Sequence, residues 1–132
     1  MKIQIDSNRR AALVPGDVIN INLNPTAGHE TQKWRPCIVI SEGGLNQLST
    51  TVQVVPLTSG SGAIMRLFPK LETHQNNCNV YGTAIVTQMR AVDPVARQAE
   101  LIGQVTDQDF MDALRLRIAA CFGITIELLD PQ

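Results

Sequence analysis

Nothing in this sequence carries the marks of a disulfide-built, secreted or membrane-spanning chain. Its three cysteines, Cys37, Cys78 and Cys121, are an odd number spread far apart, without the close pairs that a disulfide framework or a zinc site needs. No stretch approaches the ~18 uninterrupted apolar residues of a membrane helix. Arg9 and Arg10 are not followed by an apolar run of signal-peptide length. A cytoplasmic protein is the simplest expectation. Charge of one sign is missing too: 11 Lys and Arg stand against 12 Asp and Glu, a formal net charge of −1. No global field therefore points to nucleic acid, and an anionic partner must meet a local patch. Repeats, low-complexity segments and linkers are absent, and 132 residues suit one domain able to bury a core.

What is present is organised around Gly16 to Ser41. Ile19, Ile21 and Leu23 alternate with Asn20, Asn22 and Asn24, the period of a strand buried on one face. Pro25 ends the run, and Cys37-Ile38-Val39-Ile40 has the length of a second, buried strand. Between them lies a loop too long for a tight hairpin, of the kind that is often functional. It holds His29, Glu30, Lys33, Trp34 and Arg35, an imidazole, a carboxylate, an ammonium, an indole and a guanidinium.

Elsewhere the pattern predicts further strands at Val52 to Val55, closed by Pro56, at Ala63 to Phe68, at Val80 to Val86 and near Leu101 to Val105. Met1 to Val14 reads as an extra edge strand or a loose tail, and fraying of termini favours the tail. Glu42 to Thr51 and Lys70 to Asn79 read as polar loops, His74 as a surface histidine. Thr58-Ser59-Gly60-Ser61-Gly62 offers two hydroxyls and free amides of the kind that receive a phosphate or a developing oxyanion, although a plain hairpin loop has the same composition. One helix is expected from Thr106, with Thr106 as N-cap, Asp109 in the capping-box position and Gly123 as its end. Phe110, Met111, Leu114, Ile118 and Cys121 or Phe122 form its apolar stripe. Ile124 to Gln132 is apolar enough to dock on its own domain or on a second subunit. The architecture implied is mainly β, a small antiparallel, barrel-like domain with a C-terminal helix.

Gly16-Asp17-Val18, Asn24-Pro25-Thr26-Ala27-Gly28-His29-Glu30, Arg35-Pro36, Pro56-Leu57-Thr58-Ser59-Gly60 and Gly82 to Asp93, in that order, resemble the MazF/PemK toxin family. The resemblance covers roughly residues 15 to 123, leaving residues 1–14 as an N-terminal extension and 15–132 as a single toxin domain. It implies a homodimeric, SH3-like or CcdB-like twisted β-barrel. The implied activity is that of a type II toxin, a sequence-specific endoribonuclease cutting single-stranded mRNA without metal or cofactor. The implied partners are an antitoxin that inhibits it and operator DNA reached only through that antitoxin.

On that resemblance Arg35 offsets the phosphate's charge, because a guanidinium stays ionised and pairs bidentately with phosphate oxygens. Thr58 bonds the same phosphate. His29 has the pKa suited to proton transfer at neutral pH, and Glu30 either assists it or holds the loop. Lys33, Trp34, Ser59, Gly60, Arg66, Gln88 and Arg90 are the expected RNA contacts, with Trp34 either stacking on a base or packing on the barrel rim. Where some members carry an arginine and an acidic residue for proton transfer, this chain has Ile85 and Thr87, which shifts the chemistry to the first loop and Thr58. Two other readings follow: a catalytically inactive, autoregulatory homologue, and a gyrase poison. The second would require Trp-Gly-Ile at a free end, where this chain has Phe122-Gly123-Ile124 and continues.

Overall fold

A computed structural model describes residues 2–24, 33–60 and 62–124. Among these residues eight strands form one antiparallel sheet: β1 (Ile3–Gln4), β2 (Asp17–Asn22), β3 (Trp34–Val39), β4 (Val52–Thr58), β5 (Lys70–Leu71), β6 (Gly82–Ala84), β7 (Arg90–Val92) and β8 (Glu100–Gln104). Their order is β1-β8-β2-β3-β4-β6-β5. The expected β domain with a C-terminal helix is present, but its sheet is a twisted, open path ending at β1 and β5 rather than a closed barrel. The long strand β4 divides one of its edges, pairing with β7 from Val52 to Val54 and with β6 at Leu57 and Thr58.

Period-two alternation places buried residues on both faces. Cys37 and Val39 of β3 and Val52 and Val54 of β4 join Ile19, Ile21 and Leu23 in one core, whereas Ile38, Val55 and Leu57 join the other. The second core is covered by α3 (Gln108–Cys121), which contributes Phe110, Met111 and Leu114. The helix begins one residue later than its sequence implies. Asp107, not Thr106, is the N-cap, its carboxylate accepting the Phe110 N–H at 3.2 Å. Its buried stripe is also shorter, because Cys121 and Phe122 are exposed beyond the sheet.

The first core is closed by the N-terminal segment, expected as a loose tail but docked here. Ile5 and Leu13 are buried around α1 (Ser7–Ala12), and burying two such side chains contributes about 3–6 kcal/mol. A second short helix, α2 (Gly43–Leu48), stands in the expected loop. Its fully buried Asn46 ties it down, donating to the carbonyls of Leu13 and Ser41 and accepting from the Ser41 hydroxyl. Arg10 adds bonds to the carbonyls of Asn46 and Ser49.

Two more expectations differ. Ala63–Leu67 is a 3-10 turn, not a strand, and the strand expected from Val80 to Val86 shrinks to β6 before a 3-10 turn at Val86–Gln88. Pro56 does not close β4: it lies within the strand, opposite Cys37, and β4 runs on to Thr58. Among the described residues no helix is long and apolar enough to cross a membrane.

Candidate functional site

A polar row crosses the sheet where β3 and β4 run out of the core. Arg35 lies opposite Ile21, which puts its side chain on the face of Cys37 and the first core. The pairing of Cys37 with Pro56, continued by two residues, brings Arg35 opposite Thr58. Thr58 in turn pairs with Thr83, and Thr83 with Lys70. Four neighbouring strands thus present Arg35, Thr58, Thr83 and Lys70 on one face, over about 14 Å at the usual interstrand spacing.

The Thr58 hydroxyl accepts the Gly60 N–H at 3.1 Å. That bond closes the turn after β4 and fixes the rotor, leaving the hydroxyl proton to donate elsewhere. From the other side Gly82 (φ +135°) comes so close that any Cβ there would meet the Thr58 backbone. Thr58 is therefore held from both sides.

Three concavities follow the row and share residues. One of about 260 Å³ is lined by Arg35, Pro36, Leu57, Ser59, Asn79, Val80 and Tyr81. Ser59 and Tyr81 also line the next, of about 160 Å³, with Thr58, Gly60, Lys70, Gly82 and Thr83. Gly60, Lys70 and Thr83 continue into the third, of about 650 Å³, where Arg66 adds a second cation beside Met65 and Phe68. The result is a trough with a guanidinium at each end and an ammonium between them, a local basic track on a nearly neutral chain.

Of the residues expected from sequence, Arg35, Thr58, Ser59, Gly60 and Arg66 come together along this trough. Trp34 is 48% exposed, and alternation puts it on the opposite face from Arg35, opposite Asn22. Lys33 takes a left-handed turn (φ +66°) beside the end of β2, its N–H bonded to Asn24. Arg90 donates to the Leu23 carbonyl at 3.3 Å, and Gln88 is half-buried in its 3-10 turn. His29 and Glu30 lie outside the described residues. Ile85 is buried in the helix-side core and Thr87 is exposed on the following turn, so neither adds to the row.

Electrostatics mark the same end of the core. Burial pushes the Cys37 thiol up to about 12, against the opposing pull of Arg90 and Arg35. Both guanidiniums therefore border the apolar floor on which Arg35 sits. Arg97, unremarked in the sequence, donates to the carbonyls of Asn22 at 2.8 Å and Asn24 at 2.7 Å. It clasps the chain at the end of β2.

Sequence reading also missed Lys70, Thr83, Asn79 and Tyr81. Thr83 joins the site through the pairing of β6 with β4, and Lys70 through that of β5 with β6. The one available signal was the chain's single tyrosine directly before a glycine at a strand start.

Residues 14–122 match the family described as PemK-like, MazF-like toxin of type II toxin-antitoxin system. The endoribonuclease toxin ChpB of Escherichia coli (strain K12) is 35% identical over 106 residues, covering 80% of this chain and 90% of that protein. The fold is similar to the crystal structure of MazF from Deinococcus radiodurans, with a TM-score of 0.73, 25% identity and coverage of 85% of this chain and 97% of that one. It is also similar to a chain of the MazE-MazF crystal structure from the same organism, with a TM-score of 0.69, 25% identity and coverage of 86% and 97%.

Proposed function

The chain belongs to the PemK-like, MazF-like toxin family of type II toxin-antitoxin systems, and from that premise we propose that it is the toxin of such a pair, an endoribonuclease cutting single-stranded RNA at a preferred sequence. The observation that carries the reading is the row in which Arg35 and Thr58 share one face of the sheet beside a basic trough.

The nucleophile is the substrate's own 2′-hydroxyl. Its oxygen attacks the adjacent phosphorus while the bond to the 5′-oxygen breaks, leaving a 2′,3′-cyclic phosphate and a 5′-hydroxyl. Arg35 matches two non-bridging oxygens and offsets the charge that grows on them in the transition state. Thr58, its lone pair engaged by Gly60, donates to the same phosphate. Proton removal from the 2′-hydroxyl and delivery to the leaving oxygen are assigned to His29 and Glu30. Neither metal nor cofactor is required by this chemistry.

The partners proposed are single-stranded RNA, a cognate antitoxin as in the MazE-MazF complex, and a second copy of the chain, for which exposed Leu45, Leu48, Leu116 and Phe122 supply apolar surface. Operator DNA is reached through the antitoxin, and the site of action is the cytoplasm. Incubation with a long single-stranded RNA in the presence of a chelator tests the activity, with cyclic-phosphate ends expected. Absence of cleavage alongside trapping of gyrase on DNA would overturn it.

A further inference from the structure

Tyr81 is the chain's only tyrosine, yet it packs in neither core and remains 59% exposed. Its position is nevertheless tightly set. Asn76, almost fully buried, donates to the carbonyls of Glu72 and Val80 and accepts the N–H groups of Cys78 and Val80. Both backbone groups of Val80 are thereby held. On the other side Gly82 lies against Thr58. An aromatic residue without a place in the core thus stands between two anchored neighbours.

Tyr81 lines two adjoining concavities that also share Ser59, one with Arg35 and the other with Thr58 and Lys70. A π-face flanked by cations in a narrow trough is the composition that single-stranded nucleic acid recognises, with bases on the aromatic surface and phosphates on the charges. Resting on the nuclease reading above, we infer that Tyr81 is a stacking platform for a base next to the cleaved bond, with Lys70 taking the following phosphate. The platform fixes which nucleotide presents its 2′-hydroxyl between Arg35 and Thr58.

The test uses the full-length protein and an RNA carrying a deoxy nucleotide at the one cleaved position, mapped first with the wild-type protein. With 2-aminopurine beside that position, stacking on Tyr81 quenches its fluorescence on binding. Tyr81→Phe should keep the quench and the affinity, because the π-face remains. Tyr81→Ala should lose the quench and bind about 10- to 100-fold more weakly. Lys70→Ala should reduce the salt dependence of binding by about one phosphate contact.

Unchanged RNA binding in Tyr81→Ala would overturn the inference, as would a loss in Tyr81→Phe equal to that in Tyr81→Ala. Weakened antitoxin binding with RNA affinity intact would assign the ring to the protein partner instead and also overturn it. The two levels of failure are distinct. Wild-type protein that cuts no RNA removes the nuclease reading and this inference together, whereas cleavage by the wild type with Tyr81→Ala indistinguishable from it removes this one alone.

Discussion

A methyl group on Gly82 would stand 2.7 Å from the carbonyl oxygen of Thr58, 3.1 Å from its carbonyl carbon and 3.2 Å from its nitrogen. Gly82 also has φ +135°, a conformation that side-chain-bearing residues rarely adopt. The paired strands β4 and β6 therefore approach as they do only because position 82 has no Cβ, and the residue fixed by that approach is the proposed phosphate ligand.

Gly82→Ala should be costly in two ways. Strain should lower stability by about 1–3 kcal/mol. Displacement of Thr58 by a fraction of an ångström or more should slow cleavage by up to about a hundredfold below the melting transition. Thermal melting and single-turnover cleavage check this, and a variant as stable and as fast as the parent would count against the close approach.

Arg35 and Thr58 should fail differently. Arg35→Ala should slow cleavage by about 10²–10³, by analogy with removing one oxyanion donor. Arg35→Lys should recover part of the rate, since charge returns without the bidentate fork. Thr58→Ser should retain most activity and Thr58→Val little, because the hydroxyl is the group that matters. Full activity in Arg35→Ala, or cleavage of RNA that is deoxy at the cut position, would defeat the mechanism.

The legible parts of this fold were those whose signal is local. Ile19, Ile21 and Leu23 alternate because one strand meets one core, and Phe110, Met111 and Leu114 recur because one helix meets the other. Arg35 and Thr58 were found through the family resemblance, which preserves spacing across the hairpin. The helices α1 and α2 are six residues each, too short for an apolar period to develop. Their stability comes from long-range bonds such as that of Asn46 to the Leu13 carbonyl. Ala63–Leu67 resembles a strand by composition but forms a 3-10 turn. The polar run from Glu72 to Asn79 looked like surface because nothing local shows that Asn76 turns inward to bond three other residues.

Asn76→Ala should accordingly destabilise the protein by about 2–3 kcal/mol, leaving donors and acceptors of Val80, Cys78 and Glu72 short of partners. Asn76→Asp should recover only the bonds accepted by its Oδ1. Hydrogen exchange should show Cys78 and Val80 as the amides most exposed by the change, and unaltered protection there would contradict the pinning assigned to this side chain.

The three thiols should be distinguishable in the native protein. Cys121 is exposed, Cys78 is half-buried with its pKa raised by burial, and Cys37 is buried with its thiol near 12. A disulfide reagent at neutral pH should modify Cys121 rapidly, Cys78 slowly and Cys37 only after unfolding. Above about pH 9 the unfolded chain gains a thiolate at Cys37 that the fold refuses, so stability should fall as pH rises between there and about 12. Cys37→Ser and Cys37→Ala should both flatten the dependence, since neither side chain titrates in that range, each from a lower starting stability because one buries a hydroxyl and the other leaves space. Equal labelling of Cys37 and Cys121 in the native state would refute the burial argument.

Acid should act through Asp107. The Gln75 side chain donates to its carboxylate at 3.0 Å, and the Phe110 N–H at 3.2 Å. Those bonds, in that order of importance, hold its pKa below the ordinary carboxylate value. A lowered folded-state pKa means that the native protein resists protonation more than the unfolded chain does. The stabilisation is complete above the unfolded value of about 4 and is lost as pH falls from there through the lower native pKa. Asp107→Asn keeps an N-cap oxygen for Phe110 but cannot titrate. It should melt at a lower temperature than the parent at neutral pH and approach it as the pH drops. Asp107→Ala loses the cap as well and should melt lower than Asp107→Asn throughout. Because Gln75 also accepts the Thr106 N–H and bonds the Glu72 N–H, the same protonation should loosen the segment that carries Asn76 and Tyr81. Melting curves of the three proteins across the acid range decide the matter, and parallel pH profiles for Asp107→Asn and the parent would show that Asp107 is not the group responsible.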